Sequence, residues 1–410
     1  MKILFLTHYF YPEVNAPAAR TLEHCRAWVD AGHEVTVVTC VPNHPKGVVY
    51  AGYKNALYQS EVKDGIKVYR LLTWLAPNAG FLKRVCNYLT YMFMVIFAAP
   101  FLPKADMVIS TSPQFFAGFA GYFVSRIKRA RWVLEIRDLW PESVVAVGAI
   151  KNKKLVSYAE ALESFMYRKA DAVVSVTDSF VAHISARGVP ESRIHVIKNG
   201  VDLAFYNFEV SRDAAAVDNR LEGKYVAAYV GTHGMAHALN TVLEAANILK
   251  ERSDIVFLMV GDGADKKRLV KLCGEMQLQN VVMLDQKPKE AMPAIWAVTD
   301  VSLVLLKKED LFKTVLPSKI VESMAMKRPI VLGVQGEAQA MVENATAGIC
   351  IEPENAAELA AAVVALADDR DRAAAYGEAG RVFVEARFNR RKLASKMERV
   401  LLGLVGERAD

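Results

Sequence analysis

The sequence offers no cysteine pairing. Cys25, Cys40, Cys86, Cys273 and Cys350 are odd in number, widely scattered and free of any C-x-x-C pair. That pattern excludes a disulfide framework and reads as reduced thiols in the core of a cytoplasmic protein. A secretory leader is missing too. Met1-Lys2-Ile3-Leu4-Phe5-Leu6-Thr7 has one charge and too short an apolar run, and reads as a buried strand, so export is not expected. No basic run is interleaved with stacking aromatics, and the net charge is only +6. Nucleic acid is therefore not an expected partner, whereas anionic lipid or a diphosphate suits such a balance.

What is present is apolar and long. With 53% hydrophobic and 23% charged residues over 410 positions, the chain exceeds what one core usually organises, and two domains are expected. Lys2–Thr7, Glu34–Cys40, Ile66–Leu72, Met107–Thr111, Trp132–Ile136 and Ala172–Thr177 are strand candidates, mostly continuous apolar runs suited to a sheet covered on both faces. Between them Ala16–Ala31, ended by Gly32, Phe116–Ile127 and Val156–Lys169 read as helices. The alternation pauses over the polar stretch Val201–Gly223, after the turn-forming Asn199-Gly200. It resumes with strands at Tyr225–Val230, Ile255–Val260, Val281–Leu284, Val301–Leu306 and Pro329–Leu332 and helices at Leu239–Glu251 and Lys266–Glu275. Ala356–Ala367 and Phe388–Leu404 follow as helices, the last long enough to pack back on the first domain. The expectation is an α/β protein of two tandem Rossmann-like domains with parallel sheets, residues 1–200 and 201–387, and a returning helix over 388–410.

One segment departs from this pattern. Val85–Pro103 holds nineteen uncharged residues, close to the roughly 20 needed to cross a bilayer. Asn87, Tyr88, Thr90, Tyr91 and two prolines dilute it, and a strand must follow at Met107. A helix lying at a membrane surface through residues 81–104, with Lys83 and Arg84 at its start, is the reading adopted; a plain core helix and a true span are the alternatives.

Charged and glycine-bearing residues cluster at strand ends. Leu316-Pro317-Ser318-Lys319-Ile320-Val321-Glu322 reads as a proline-started helix presenting a cation and a carboxylate three residues apart, suited to a diphosphate and a diol. An ordinary surface ion pair is the alternative. Gly231-Thr232-His233-Gly234 follows a strand and is expected to open a helix, letting backbone N–H groups approach an anion. It lacks the spacing and acidic partner of a dinucleotide fingerprint. His233 and His237 are four apart with no third ligand, so no metal is expected; a loop histidine that contacts phosphate or caps the helix is the reading, with His233 the better ligand candidate. Gly261-Asp262-Gly263 ends the next strand, bordering a ligand or simply making a turn. Near the N-terminus, Ala16, Pro17 and Ala18 leave room at a helix start, and Arg20 is a candidate for phosphate or an ordinary helix-surface residue. Glu135, Arg137, Asp138 and Glu142 crowd another strand end. There Asp138 is the candidate to orient or deprotonate an acceptor hydroxyl, against a structural pairing of Arg137 with a carboxylate.

Taken in order, Tyr11-Pro12-Glu13, Arg137-Asp138-Leu139-Trp140-Pro141-Glu142, Asn199-Gly200-Val201-Asp202, the Gly231–Gly234 loop, Gly261-Asp262-Gly263 and Pro317-Ser318-Lys319 with Glu322 resemble glycosyltransferase family 4. Within it they are similar to the branch building bacterial O-antigen and capsule units, such as N-acetylfucosamine transferases. The resemblance implies a GT-B fold whose two Rossmann-like domains face across a cleft. Donor UDP-sugar would bind the second domain, with Glu322 on the ribose, and a lipid-diphosphate-linked saccharide the first. It further implies retention of configuration, no metal cofactor, and a peripheral position at the cytoplasmic face of the inner membrane. Two family features are absent: Thr314 stands where a donor-side glutamate is usual, and the Gly231–Leu239 loop lacks the customary Arg and Lys. Lys319 is then the expected cation for the departing diphosphate. A sugar-nucleotide 2-epimerase of the same architecture and a non-catalytic sugar-nucleotide binder are the alternatives.

Overall fold

The computed structural model describes residues 1–13, 15–76, 81–112, 114–146, 148, 150, 152–206, 208–212 and 217–406. Val14 of the first loop, and Asn207 and residues 213–216 of the expected linker, lie outside them. The chain forms two compact units, Met1–Asn199 with Arg390–Asp410, and Gly200–Asn389.

The first unit holds strands β1 (Lys2–Leu6), β2 (Glu34–Cys40), β3 (Tyr58–Lys63), β4 (Ile66–Leu71), β5 (Met107–Ser112), β6 (Arg131–Ile136), β7 (Ala172–Ser175) and β8 (Ile194–Val196) in the order β3-β4-β2-β1-β5-β6-β7-β8. All neighbours pair in parallel except β3, which is antiparallel to β4. The expected sheet was wholly parallel. The correction comes from a hairpin: Asp64 and Gly65 both take positive φ (53° and 76°), as a two-residue turn requires, and the polar β3 suits an exposed edge. Helices α1 (Ala16–Asp30), α2 (Phe81–Ala98), α3 (Phe115–Lys128), α4 (Glu142–Ala146), α5 (Lys153–Lys169) and α6 (Ser179–Ala186) complete the unit with α14 (Arg390–Gly406). Leu393, Met397 and Leu401 of α14 are buried with Trp28, whose Nε1–H donates to the Ala394 carbonyl at 3.2 Å. This last helix is thus part of the first unit's core.

Helix α2 is two-faced. Tyr91, Met92, Val95 and Ala99, the last just past its end, are buried, and the Tyr91 hydroxyl donates to the Thr7 and Val38 carbonyls. Phe93 and Phe97, with Phe101 beyond the helix, stand out at 52%, 73% and 90% exposure.

The second unit is a parallel sheet ordered β11-β10-β9-β12-β13-β14, built from β9 (Tyr225–Val230), β10 (Ile255–Val260), β11 (Val281–Leu284), β12 (Val301–Leu305), β13 (Ile330–Gly333) and β14 (Gly348–Cys350). Every residue of β9 and β10 is buried, which explains their uninterrupted apolar sequence. Helices α7 (Asn240–Ile248), α8 (Lys266–Glu275), α9 (Met292–Val298), α10 (Lys319–Ala325), α11 (Glu337–Asn344), α12 (Ala356–Asp368) and α13 (Arg370–Arg387) flank it. Chain order reverses at β9, with β10 on one side and β12 on the other. Its C-terminal end is therefore a topological switch point, the usual ligand crevice of open α/β sheets.

Candidate active site

The loop after β9 delivers the second unit's candidate residues to that switch point. It is longer than expected: a 3-10 turn, Met235–His237, and Ala238 at φ 48° precede α7, so the Gly231–Gly234 loop does not open the helix directly. Tyr229 fastens the loop through its hydroxyl, which donates to the Thr232 carbonyl at 2.8 Å.

Lys319 is the first residue of α10, with Glu322 one turn on; Pro317 and the N-cap Ser318 lie outside the helix. The Lys319 ammonium is buried and makes no hydrogen bond. It sits 3.6 Å from the centre of the Tyr229 ring, a cation–π contact. Burial pulls its pKa from 10.5 to about 7, against the opposing charge of Glu322. A side chain at Gly231 would bring Cβ within 3.2 Å of that ammonium, and Gly231 has φ 139°, so glycine keeps the approach open. His237 lies edge-on to Tyr229, and burial and Lys319 lower its pKa to about 3. A buried ammonium without a hydrogen-bond partner, beside a glycine loop, is equipped to receive an anion.

The other candidates of this unit serve the loop in different ways. Gly261 and Gly263 are spacers. Cβ atoms there would collide with the carbonyl oxygens of Gly231 and His233 respectively. Asp262 caps its own turn, its Oδ1 accepting the Gly263 N–H at 2.7 Å. His233, the candidate to contact phosphate or cap the helix, has its ring fully buried, and its backbone N–H donates to the Asp262 carbonyl. Burial first, then Lys266 and Lys319, lower its pKa to about 4. Thr232 is exposed at the loop surface. Thr314 Oγ1 donates to the Leu311 carbonyl at 2.7 Å, a local cap in place of the family's carboxylate. Sequence reasoning missed Tyr229, the lid on Lys319. It also missed Lys266, whose ammonium binds the Gly261 and Leu284 carbonyls at 3.1 and 2.7 Å. An aromatic next to the last residue of a strand carries no motif signal.

In the first unit, the strand-end charges form a buried network. Arg20 is 2% exposed, and its Nε donates to Glu135 Oε1 at 2.9 Å. Its remaining donors reach the Ile197 and Lys198 carbonyls and Asn199 Oδ1. Neither alternative for Arg20, a phosphate ligand or a helix-surface residue, describes its place: buried and fully engaged, it ties α1 to β6 and to the end of β8. Arg137 is similarly occupied, with Glu135 Oε2 at 2.7 Å and with the Pro17 carbonyl and Thr21 Oγ1. Burial would raise the Glu135 carboxyl, but Arg137 and Arg20 together hold it below its ordinary range. Ala16, Pro17 and Ala18 form the first turn of α1, where Asn15 Oδ1 accepts the Ala18 N–H. Asp138 lies outside the network. Desolvation raises its carboxyl to about 6, despite hydrogen bonds from Ser143 and the Leu139 N–H, so it titrates in the range of a general base. Glu13 has a comparable environment: Oε1 accepts the Asn43 and His44 N–H groups at 2.8 Å, and burial lifts its pKa to about 7.

Relatives match this chain over different lengths. A putative colanic acid biosynthesis glycosyl transferase of Escherichia coli K12, WcaI, is 26% identical over 88% of this chain and 91% of its own. A probable glycosyltransferase of Pseudomonas aeruginosa, WbjE, is 30% identical over 49% of this chain and 50% of its own. Among solved structures, HepE of Anabaena in complex with UDP and glucose superposes with a TM-score of 0.74 at 16% identity, over 98% of this chain and all of that one. A sucrose-phosphate synthase from Thermosynechococcus elongatus reaches 0.76 at 17% identity, over 99% of both chains. These superpositions show the GT-B fold. A glycosyl transferase 4-like domain model matches residues 15–200 and a glycosyl transferases group 1 model residues 211–383, and the chain belongs to the GT-B glycosyltransferases that join these two domains.

Proposed function

We propose that this glycosyltransferase moves an N-acetylated amino or deoxy hexose from a UDP-sugar to a lipid-diphosphate-linked saccharide during synthesis of a bacterial surface polysaccharide such as O-antigen or capsule. The observation that carries the reading is the buried Lys319 ammonium, without a hydrogen-bond partner, at the switch point of the second unit. A nucleoside diphosphate supplies the charge that this cation lacks, and Glu322 one turn away suits the ribose diol. In transfer, negative charge grows on the departing diphosphate. A preorganised cation in a desolvated site stabilises that charge more than it stabilises the bound donor. Lys319 takes this role here, with the donor bound without a metal cofactor and the anomeric configuration retained. Asp138 orients the acceptor hydroxyl, and its carboxyl near 6 is compatible with accepting a proton at neutral pH. The relative WcaI supports the polysaccharide setting through its name, WbjE supports glycosyl transfer alone, and HepE, solved with UDP and glucose, supports the choice of donor.

The acceptor's lipid places the enzyme peripherally at the cytoplasmic face of the inner membrane. Exposed Phe93, Phe97 and Phe101, one helical turn apart in succession, support contact through the region 81–104, because such a stripe is costly in water and suited to the headgroup boundary. The test is a thermal-shift panel of UDP-, GDP- and TDP-sugars. A ligand at 100 times its Kd adds ~2.7 kcal/mol, so UDP-sugars are expected to raise the transition. No shift with any nucleotide sugar, or epimerisation of a UDP-N-acetylhexosamine without acceptor, would overturn the assignment.

A further inference from the structure

A concave surface lies in the first unit, at the opposite end of the sheet from Arg137 and Asp138. It opens where β6, β7 and β8 begin, with α14 along one side, and encloses about 750 Å³. Cavities of this size accommodate small-molecule ligands. Its lining carries five cations, Arg131, Lys169, Arg193, Lys396 and Arg399, against one carboxylate, Asp171. For a chain with a net charge of +6, that is a concentrated share.

The single carboxylate is already committed. Asp171 accepts Arg131 Nη1 at 2.9 Å and the Trp132 N–H at 2.7 Å. Among the described residues Arg193 and Lys396 hydrogen-bond to backbone carbonyls alone, Nη1 on Arg168 and Ala170 at 3.4 and 3.3 Å and Nζ on Val196 at 3.0 Å. Among the described residues no ion pair engages Lys169 or Arg399, and the Arg131 Nε is buried without a hydrogen-bond partner. Like charges gathered in a concave surface repel one another, and a multivalent anion relieves that cost. Guanidinium forks match phosphate oxygens in pairs, and Arg193 and Arg399 each bring one, while Val400 and Leu404 on the α14 side offer apolar contact for a larger ligand.

We infer that this groove is a binding site for a phosphate-bearing anion, separate from the nucleotide-sugar site and formed by the N-terminal edge of the first sheet together with α14. A soluble diphosphate and the phosphate headgroup of an anionic lipid share the required chemistry. The edge also carries Phe101, and Lys128 Nζ reaches the Leu102 carbonyl there, which puts exposed apolar surface at the same end of the unit.

The test is lysine acetylation of the full chain, read by mass spectrometry at Lys169 and Lys396, with exposed Lys271 on α8 as reference. Inorganic diphosphate is one probe; vesicles of phosphatidylglycerol, compared with phosphatidylcholine, are the other. At ten times the Kd, mass action slows modification of an occupied site ~10-fold. Protection by diphosphate assigns a soluble anion, and protection only by phosphatidylglycerol vesicles assigns a lipid headgroup. In Lys169→Glu/Arg399→Glu, both exposed positions, protection of Lys396 should vanish while the UDP thermal shift persists. Unchanged rates with both probes, or protection of Lys396 that survives in the double variant, would overturn the inference.

Discussion

Lys319→Met separates binding from stability with opposite signs. The substitution keeps length and removes charge. In the folded chain burial brings the amine from 10.5 to about 7, which corresponds to ~5 kcal/mol disfavouring the charged form. Loss of the Tyr229 cation–π contact offsets ~1–2 kcal/mol of this, so a gain of at least ~2 kcal/mol is expected at pH 7. For a unit of about 150–250 residues that raises Tm by at least ~4 °C. Between about 7 and 10.5 the unfolded chain holds a proton that the folded chain has lost, so wild-type stability climbs with pH across that window and is flat below it. The stability gap between the Lys319→Met variant and its parent should therefore be full at pH 7 and close toward pH 10.5. Meanwhile the variant loses a charge-assisted contact to diphosphate worth roughly 1.5–3 kcal/mol, about a 10- to 150-fold rise in the Kd for UDP. Denaturant melts across pH, paired with UDP calorimetry, read both effects. A variant less stable than the parent at every pH, or one that binds UDP equally well, would refute the reasoning.

Other perturbations follow from the same geometry. Only the protonated Lys319 attracts the dianionic diphosphate of a UDP-sugar, so UDP-sugar affinity should fall as pH rises above about 7, by up to tenfold per pH unit, in calorimetry across pH 6–9; a flat profile contradicts the role. Gly231→Ala places Cβ within 3.2 Å of the ammonium at a positive φ and should weaken UDP binding at least ~10-fold, with strain of order 1–3 kcal/mol. Glu135→Gln leaves Arg20 and Arg137 facing each other in the core and should destabilise the first unit by ~3–5 kcal/mol in urea melts, leaving UDP affinity unchanged. Phe93→Ser/Phe97→Ser/Phe101→Ser removes apolar groups worth ~1.5 kcal/mol or more apiece at a membrane and should cut co-flotation with anionic vesicles at least ~100-fold; undiminished flotation would count against that surface.

The sheets were legible because buried parallel strands are unbroken apolar runs: β2, β9, β10 and β11 begin and end where the sequence places them. Edge elements were not. β3 is polar and exposed, β8 and β14 are three residues long, and α13 buries glycines at Gly377 and Gly380 instead of an apolar stripe. The site divides along the same physical line. Spacing in sequence showed that Lys319 and Glu322 share a helix turn, but only tertiary packing shows that Tyr229 covers the ammonium and that His233 turns inward. Arg20 was misread because a charged residue on an amphipathic helix normally faces water, and nothing in the local sequence signals that Glu135, 115 residues away, neutralises it in the core. Gly261 and Gly263 look like ligand loops in sequence, whereas their role is to let one backbone cross another.

Transfer itself is the most direct measurement. The chain is incubated with a UDP-N-acetylhexosamine panel and a polyprenyl-diphosphate saccharide, and products are followed by mass spectrometry with UDP release in parallel. The expected result is one added sugar on the lipid-linked saccharide, one UDP released per transfer, and loss of both in Lys319→Met and Glu322→Gln. UDP-sugar turnover that ignores the acceptor, or transfer undiminished in both variants, would contradict the assignment of Lys319 and Glu322 to the donor site of a lipid-acceptor glycosyltransferase.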